Sequence, residues 1–173
     1  YFNFANDLKK AFPFYDTKNV GNLFFKVGKK IKIGFVSCNF NFGHSITYFM
    51  KDIIKNIDKE KFETYAFDLG RYGKHNQPTS EFKDKFDFWN ELTDKSNQEV
   101  ITFIQKNKIE ILIDVMSITH PERIGIFNNR VSPLQISWLA YCNTVGSDKI
   151  DYLIADTNFC LLYTSDAADD MQC

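Results

Sequence analysis

Apolar residues from position 31 onward follow two different spacings, and these predict a strand followed by a helix. Ile31, Ile33 and Phe35 alternate with polar or small residues, as in a β-strand that enters a core. The next apolar positions lie on one face of an α-helix, at Ile46, Phe49, Met50, Ile53, Ile54 and Ile57. Residues 37–45, between these two segments, are rich in small and polar side chains, which is typical of a loop.

The alternation of strand and helix patterns continues to residue 155. Further strands are predicted at 62–68, 86–89, 109–115, 134–139 and 152–155. Helical segments are predicted at 80–85, at 121–129, and after Ser96–Glu99, which has the S-x-x-E form of a capping box. Strands separated by helices indicate βαβ units and a mainly parallel sheet. The predicted fold class is therefore α/β, with a Rossmann-like, doubly wound sheet.

Three segments are predicted along the chain. Residues 1–30 form an N-terminal extension or linker, and residues 31–159 form the Rossmann-like lobe. Residues 160–173 break the pattern and resemble the translation of sequencing-adapter read-through, so a non-native tail is predicted there. The chain begins at Tyr1 without an initiator Met, which we interpret as the start of a fragment.

Composition excludes several classes of function. A chain of 173 residues with 44% hydrophobic residues can bury a substantial core, and its net charge of −1 predicts no nucleic-acid partner. No apolar run approaches the roughly 20 residues needed to span a bilayer, so no membrane partner is predicted. The four cysteines fit no CxxC spacing and predict free thiols in a reducing cytoplasm. The three histidines lie on different predicted loops without metal-ligand spacing, so no metal is predicted.

Polar loops follow three of the predicted strands, at residues 39–45, 116–123 and 141–147. Because the carboxyl ends of parallel strands meet at one edge of a sheet, we expect these loops to lie together. His44 stands where the first loop meets the helix. A histidine, hydroxyls and backbone amides in one crevice suit a group-transfer site, although any α/β domain shows some of these groups. No dinucleotide, P-loop or common hydrolase motif is present.

Two stretches carry a family resemblance. The segment GFVSCNFNFGHSITYFM resembles the start of the catalytic region in the O-GlcNAc transferase/SPINDLY family, glycosyltransferase family 41. A later run is similar to the family's ILVDL…R…F…R-P-A-P-x-Q-x-x-W-L-G-Y-P-x-T-x-G and MDY-x-x-x-D patterns. The matching positions are Ile109 to Asp114, Arg123, Phe127, Arg130, Pro133, Gln135, Trp138, Leu139, Tyr141, Asn143, Thr144, Gly146, Asp151, Tyr152, Ala155 and Asp156.

The resemblance implies a GT-B enzyme, in which two Rossmann-like lobes hold a sugar nucleotide between them. Such enzymes move GlcNAc from UDP-GlcNAc to Ser or Thr hydroxyls of proteins, with inversion at the sugar and without a metal cofactor. This chain would be the N-terminal lobe. Because the C-terminal lobe that it needs in cis is missing, the isolated fragment is expected to be inactive.

The resemblance also implies roles for particular residues. His44 matches the active-site histidine, with a role in positioning or proton relay; its structural alternative is a hydrogen bond at the helix start. Asn39 stands where the family usually has Asp, and Thr119 is retained from a G-H/Y-T segment. Leu139, Ala140, Tyr141 and Cys142 match an L-G-Y-P turn that faces the sugar. Ser45, Arg123 and Thr144 complete the predicted substrate-binding set, although Arg123 and Arg130 suit surface ion pairs equally well.

Two alternative functions stay open at this stage. The departures from the family pattern at Asn39, Ser117–Ile118 and Cys142 favour a degenerate lobe that binds or scaffolds without transferring sugar. They also leave room for a transferase that uses a different sugar nucleotide.

Overall fold

The fold is a six-stranded parallel sheet flanked by helices. A computed structural model describes residues 28–71, 74–141 and 145–155. The elements are, in chain order, β1 (Ile31–Ser37), α1 (Ser45–Asn56), β2 (Phe62–Asp68), α2 (Ser80–Lys83), β3 (Phe88–Glu91), α3 (Asn97–Lys106), β4 (Ile111–Asp114), α4 (Ile124–Phe127), β5 (Leu134–Trp138) and β6 (Tyr152–Ile154). Every strand pairing is parallel, which confirms the predicted α/β class.

The strand order reverses beside β1. The sheet runs β3-β2-β1-β4-β5-β6, so the chain winds outward through β2 and β3 and then crosses back to place β4 on the other side of β1. Ile33 of β1 pairs with Ile111 of β4, and the register holds through Val36 and Asp114. A reversal of this kind opens a crevice between the loops that leave the two central strands, which is where open α/β sheets bind ligands.

Two hydrophobic clusters cover the two faces of the sheet, as a doubly wound fold requires. On one face, Val36, Phe67 and Leu112 pack with Val100 and Ile104 of α3, and residues of α4 join the same cluster. The other face carries a cluster that contains residues of β1, β4, α1 and the segment around α2: Phe35, Ile113, Ile46, Met50, Ile54, Phe82 and Phe86. The alternating pattern of β1 therefore feeds both clusters.

Local signals in the sequence account for the longer helices. In α1, Ile46, Met50 and Ile54 are buried, whereas Phe49 and Ile53 are 58% and 48% exposed, so only part of the predicted apolar face enters the core. The predicted capping box of α3 is confirmed. The Ser96 hydroxyl accepts the Glu99 N–H, and the Glu99 carboxylate accepts the Ser96 N–H.

Several predicted boundaries need correction. The helix predicted at 80–85 ends at Lys83, and the strand predicted at 152–155 ends at Ile154. β3 begins at Phe88 rather than at residue 86, because the Phe86 ring packs into the core and the Asp87 carboxylate accepts the Thr64 N–H at 2.7 Å. β4 is shorter than predicted and spans Ile111–Asp114. β5 ends at Trp138, because the following Leu139 has a φ of 75°. The segment predicted as a helix at 121–129 is a turn of 3₁₀-helix followed by α4.

The predicted extension at 1–30, except for its last three residues, and the predicted tail at 160–173 lie outside the described residues. Within the described ranges, no helix has both the length and the apolar character that a membrane span requires. Cys38 is a buried free cysteine.

Candidate active site at the reversal of strand order

The loops after β1 and β4 are joined at the base of the crevice. The Ser37 hydroxyl donates to the Val115 carbonyl at 3.2 Å and accepts the Asn39 N–H at 3.0 Å. The Asn39 side chain is buried, and its Oδ1 lies 3.0 Å from Nε2 of His120 in the loop after β4. Nδ1 of His120 lies 3.2 Å from Oε1 of Glu122. Asn39 is therefore held by a histidine from the neighbouring strand's loop.

His44 is the N-cap residue of α1, and its Nδ1 accepts the Ile46 N–H at 3.2 Å. Burial lowers the pKa of its imidazole below the ordinary value, and electrostatic repulsion from Arg71 lowers it further, as does that from His120 whenever His120 is protonated. The ring is therefore neutral at pH 7. Since Nδ1 accepts a hydrogen bond from the helix, the ring proton lies on Nε2, which can donate a hydrogen bond to a ligand.

A cleft of about 580 Å³ opens beside His44, between the loops that follow β1 and β2. Its described lining residues include four cationic or imidazole side chains and none that is acidic: Arg71, Lys74, His75 and His44 with Asn41, Phe42, Gly43, Asn76 and Gln77. His75 also faces Asp94, with 3.4 Å between Nε2 and Oδ2. This composition favours an anionic ligand.

Asparagine side chains fix the shape of this cleft. Asn76 is buried, and its amide donates to Asp68 Oδ1 at 2.6 Å and to the Cys38 carbonyl at 3.0 Å. The Asn41 amide donates to Asn76, and its oxygen accepts the Gln77 N–H at 2.8 Å. Burial raises the pKa of the Asp68 carboxyl group, and the hydrogen bonds from Gly70 and Asn76 partly offset this increase. The two loops therefore form one hydrogen-bonded wall.

The loop after β5 contributes a strained turn to the same edge of the sheet. Leu139 has a φ of 75°, and the Ala140 N–H donates to the Trp138 carbonyl at 3.0 Å, so Leu139 is the centre of a γ-turn. Leu139, Ala140 and Tyr141 are half-buried. A γ-turn of this hand is uncommon for a residue with a side chain, and such strain is often found at functional sites. Cys142 and Thr144 lie outside the described residues.

Among the other predicted site residues, Thr119 and Arg123 have structural partners. Ser45, the first residue of α1, is exposed. The Thr119 hydroxyl donates to the Met116 carbonyl. The Arg123 guanidinium donates to the carbonyls of Thr93 and Lys95 and to the Asn97 side chain, so it ties the loop after β4 to the start of α3. A role of Arg123 in substrate binding stays a prediction.

Sequence reasoning did not place His120 in the site, and it identified Ser117 only as a departure from the family pattern. His120 is 2% exposed and reaches Asn39 across 81 positions of the chain, a pairing that only the adjacency of β1 and β4 creates. Ser117, where the related family has Gly, has a φ of 49°, and its buried hydroxyl has no hydrogen-bond partner among the described residues. The loop thus keeps a glycine-type backbone with a side chain added.

Comparison with known proteins identifies the class. Residues 9–169 match the profile of Glycosyl transferase family 41. This match covers most of the chain, and the chain therefore belongs to that family. The sheet also superposes on a mutant of the O-GlcNAc transferase from Thermobaculum terrenum, with a TM-score of 0.75 and 22% identity over 90% of this chain and 30% of that chain. This superposition supports the GT-B fold.

Individual relatives agree with the family assignment. The chain is 29% identical over 133 residues to the probable UDP-N-acetylglucosamine–peptide N-acetylglucosaminyltransferase SPINDLY of Hordeum vulgare. This match covers 75% of this chain and 14% of the relative. It is 28% identical over 129 residues to the UDP-N-acetylglucosamine–peptide N-acetylglucosaminyltransferase of Caenorhabditis elegans, covering 75% and 11% respectively. The chain thus spans only a small part of the relatives it matches.

Proposed function

We propose that this chain is the N-terminal lobe of an inverting glycosyltransferase that moves GlcNAc from UDP-GlcNAc to Ser or Thr hydroxyls of proteins. The observation that carries the proposal is the position of His44, at the start of α1 and beside the cationic cleft. In a chain of family 41, a neutral imidazole caps a helix beside a cationic cleft, at the carboxyl edge of the sheet. That arrangement suits a ligand with a phosphate group next to a reacting sugar.

In this proposal, some residues bind the donor and others orient the reacting groups. Arg71 and Lys74 supply positive charge to the cleft, and the first turn of α1 supplies backbone N–H groups, so an anionic donor is favoured there. The Nε2–H of His44 donates a hydrogen bond to the donor phosphate or to the acceptor oxygen. The sugar would lie towards the turn at Leu139, Ala140 and Tyr141.

In the reaction, the acceptor oxygen forms a bond to the anomeric carbon of GlcNAc while the bond from that carbon to the phosphate oxygen of UDP breaks. The acceptor proton must also leave. Asn39 cannot take it, because an amide is not a base at neutral pH, and Nδ1 of His44 already accepts a hydrogen bond from the helix. We therefore assign the proton to a phosphate oxygen of the donor. No metal enters this scheme.

The test is His44→Asn in the full-length protein, with UDP-GlcNAc labelled in the sugar and transfer to acceptor protein measured. Asn is a good N-cap residue, so the helix start is retained while the imidazole is lost. We expect kcat to fall by at least about 100-fold, the lower end of what is lost when one positioned hydrogen-bond donor is removed from a transition state. His75→Ala, which alters the same cleft, is the matched control and should reduce kcat far less.

The proposal fails if His44→Asn melts at the wild-type temperature and transfers GlcNAc at a rate close to that of the wild type. An equal loss of transfer in His75→Ala and His44→Asn would also contradict it, because the loss would then reflect the cleft as a whole rather than the imidazole.

A second candidate function is a binding or scaffold lobe without transferase activity. Its support is Asn39, which replaces the family's usual Asp and whose side-chain oxygen lies 3.0 Å from Nε2 of His120. Wild-type full-length protein that binds UDP-GlcNAc but transfers no sugar would favour this function. A panel of other sugar nucleotides, tested in the same assay, would reveal a transferase with a different donor.

We further propose that residues 1–173 alone show no turnover, because a donor cleft in this fold is formed by two lobes and the sheet described here is one of them. A cytoplasmic location fits the buried free thiol of Cys38. Turnover by the isolated chain would contradict the first statement.

A further inference from the structure

We propose that Cys38, His120 and Glu122 bind one divalent cation of the zinc class, which links the loop after β1 to the loop after β4. One potential ligand atom from each residue lies within 4.8 Å of the other two. The Cys38 and His120 side chains are buried, whereas the Glu122 side chain is 46% exposed. The carboxylate therefore gives an ion access from solvent to two buried ligands.

The hydrogen bonds of His120 support this assignment. Its Nε2 lies 3.0 Å from the amide oxygen of Asn39, which can only accept, so Nε2 carries the ring proton. The other ring nitrogen, Nδ1, lies 3.2 Å from Oε1 of Glu122, so these two potential ligand atoms face each other. Metal-binding histidines typically donate their other ring N–H to an oxygen atom, as His120 does to Asn39.

The set of ligand atoms matches the preferences of zinc. Thiolate sulfur, imidazole nitrogen and carboxylate oxygen are its usual ligands. Zinc usually takes four ligands, so three protein ligands leave the fourth position for water. The Cys38 thiol lies 3.6 Å from the Met116 sulfur, so its surroundings are soft. Burial raises the pKa of this thiol to about 12, so binding must displace its proton into solvent as the sulfur–metal bond forms.

The site is separate from the chemistry of sugar transfer, in which we assign no step to a metal. Its ligands flank Asn39, and they come from the two loops that meet where the strand order reverses. A bound ion would therefore hold the two sides of the crevice at a fixed separation. The expected effect is on the stability of the chain.

The experiment titrates the 173-residue chain, purified under reducing conditions and freed of metal, with Zn²⁺ and with Co²⁺. A background with Cys142, Cys160 and Cys173 changed to Ser removes the other thiols. We expect binding of one equivalent, a higher melting temperature with Zn²⁺, and a thiolate-to-cobalt charge-transfer band. Asn39→Leu should weaken binding about 10- to 100-fold, the usual effect of losing an outer partner of a ligating histidine.

Variants of the three ligands decide the outcome. Cys38→Ser should abolish the charge-transfer band, and Glu122→Gln, a conservative change at a half-exposed position, should weaken Zn²⁺ binding at least 10-fold without unfolding the chain. His75→Ala is the matched control and should bind like the background. If the background binds no single equivalent, a proton rather than a metal lies between His120 and Glu122, and the proposal is wrong. Binding that Glu122→Gln and Cys38→Ser leave unchanged would overturn it equally.

Discussion

Asp114 ends β4 as a fully buried carboxyl group, and its ionisation should make the fold depend on pH. Its Oδ1 accepts the N–H groups of Met116 at 3.0 Å and Ser117 at 2.8 Å. Burial raises its pKa from 3.8 to about 6, even though these two hydrogen bonds act in the opposite direction. The folded chain therefore holds a proton on Asp114 at pH values where the unfolded chain has already released it.

This difference in proton binding fixes both the direction and the size of the change in folding stability with pH. Stability falls with rising pH wherever the folded state binds more protons than the unfolded state, so the loss begins near pH 4 and is complete somewhat above pH 6. Because each pKa unit corresponds to about 1.4 kcal/mol, the rise from 3.8 to about 6 corresponds to a loss of about 3 kcal/mol at neutral pH. Asp114→Asn keeps an oxygen for both N–H groups but cannot ionise.

The assay is urea unfolding of wild type and Asp114→Asn at pH 4, 5, 6 and 7, followed by circular dichroism. The free energy of unfolding of the variant should gain about 2–3 kcal/mol relative to wild type between pH 4 and pH 7, because a small part of the loss has already occurred at pH 4. Glu81→Gln is a control of opposite sign, because the hydrogen bond to Lys85 lowers the pKa of Glu81. If the difference between Asp114→Asn and wild type is the same at every pH, ionisation of Asp114 carries no cost and the reasoning is refuted.

Two further substitutions test the packing of the sheet and of the loop before β5. Gly34→Ala should destabilise the chain by about 1–3 kcal/mol in urea unfolding, because its Cβ would lie 2.6 Å from the buried Phe67 ring; a variant as stable as wild type would contradict this. Gln135→Leu should cost more than about 3 kcal/mol, because the fully buried Gln135 amide accepts the Val131 and Ser132 N–H groups and donates to two carbonyls, and each buried partner left unpaired costs about 1–3 kcal/mol. A smaller loss would mean that water replaces the amide.

Much of the fold could be predicted from the sequence because its signals are local. Three signals each depend on a few neighbouring residues: the alternation of apolar residues in β1, the helical spacing of apolar residues in α1, and the capping box at Ser96. The structure confirms all three elements. The start of β3 could not be predicted. It depends on the Asp87 carboxylate, which accepts the Thr64 N–H from a residue that lies 23 positions earlier.

The candidate site was less predictable, because its geometry depends on strand order rather than on spacing. Three loops at one edge follow from any parallel sheet, and this much could be expected. That β4 lies beside β1, and so brings His120 to Asn39, does not follow from either segment alone. The same adjacency brings Cys38 near His120 and Glu122, although neither the cysteines nor the histidines show metal-ligand spacing along the chain.

The residues that carry the family resemblance have different roles: some stabilise the fold, and others line the candidate site. Gln135 is enclosed by backbone groups, and Arg130 forms two hydrogen bonds with Asp151, whose carboxylate also accepts the Gln135 N–H at 2.8 Å. These motif positions hold the loop before β5 and the start of β6 in place, so they account for the fold. His44 differs, because it lines the cationic cleft and retains one ring N–H for a ligand. The motif run therefore supports the family strongly, whereas the proposed sugar transfer would depend on the loops after β1 and β5. Gln135→Leu should accordingly lower stability, and His44→Asn should lower turnover at unchanged stability.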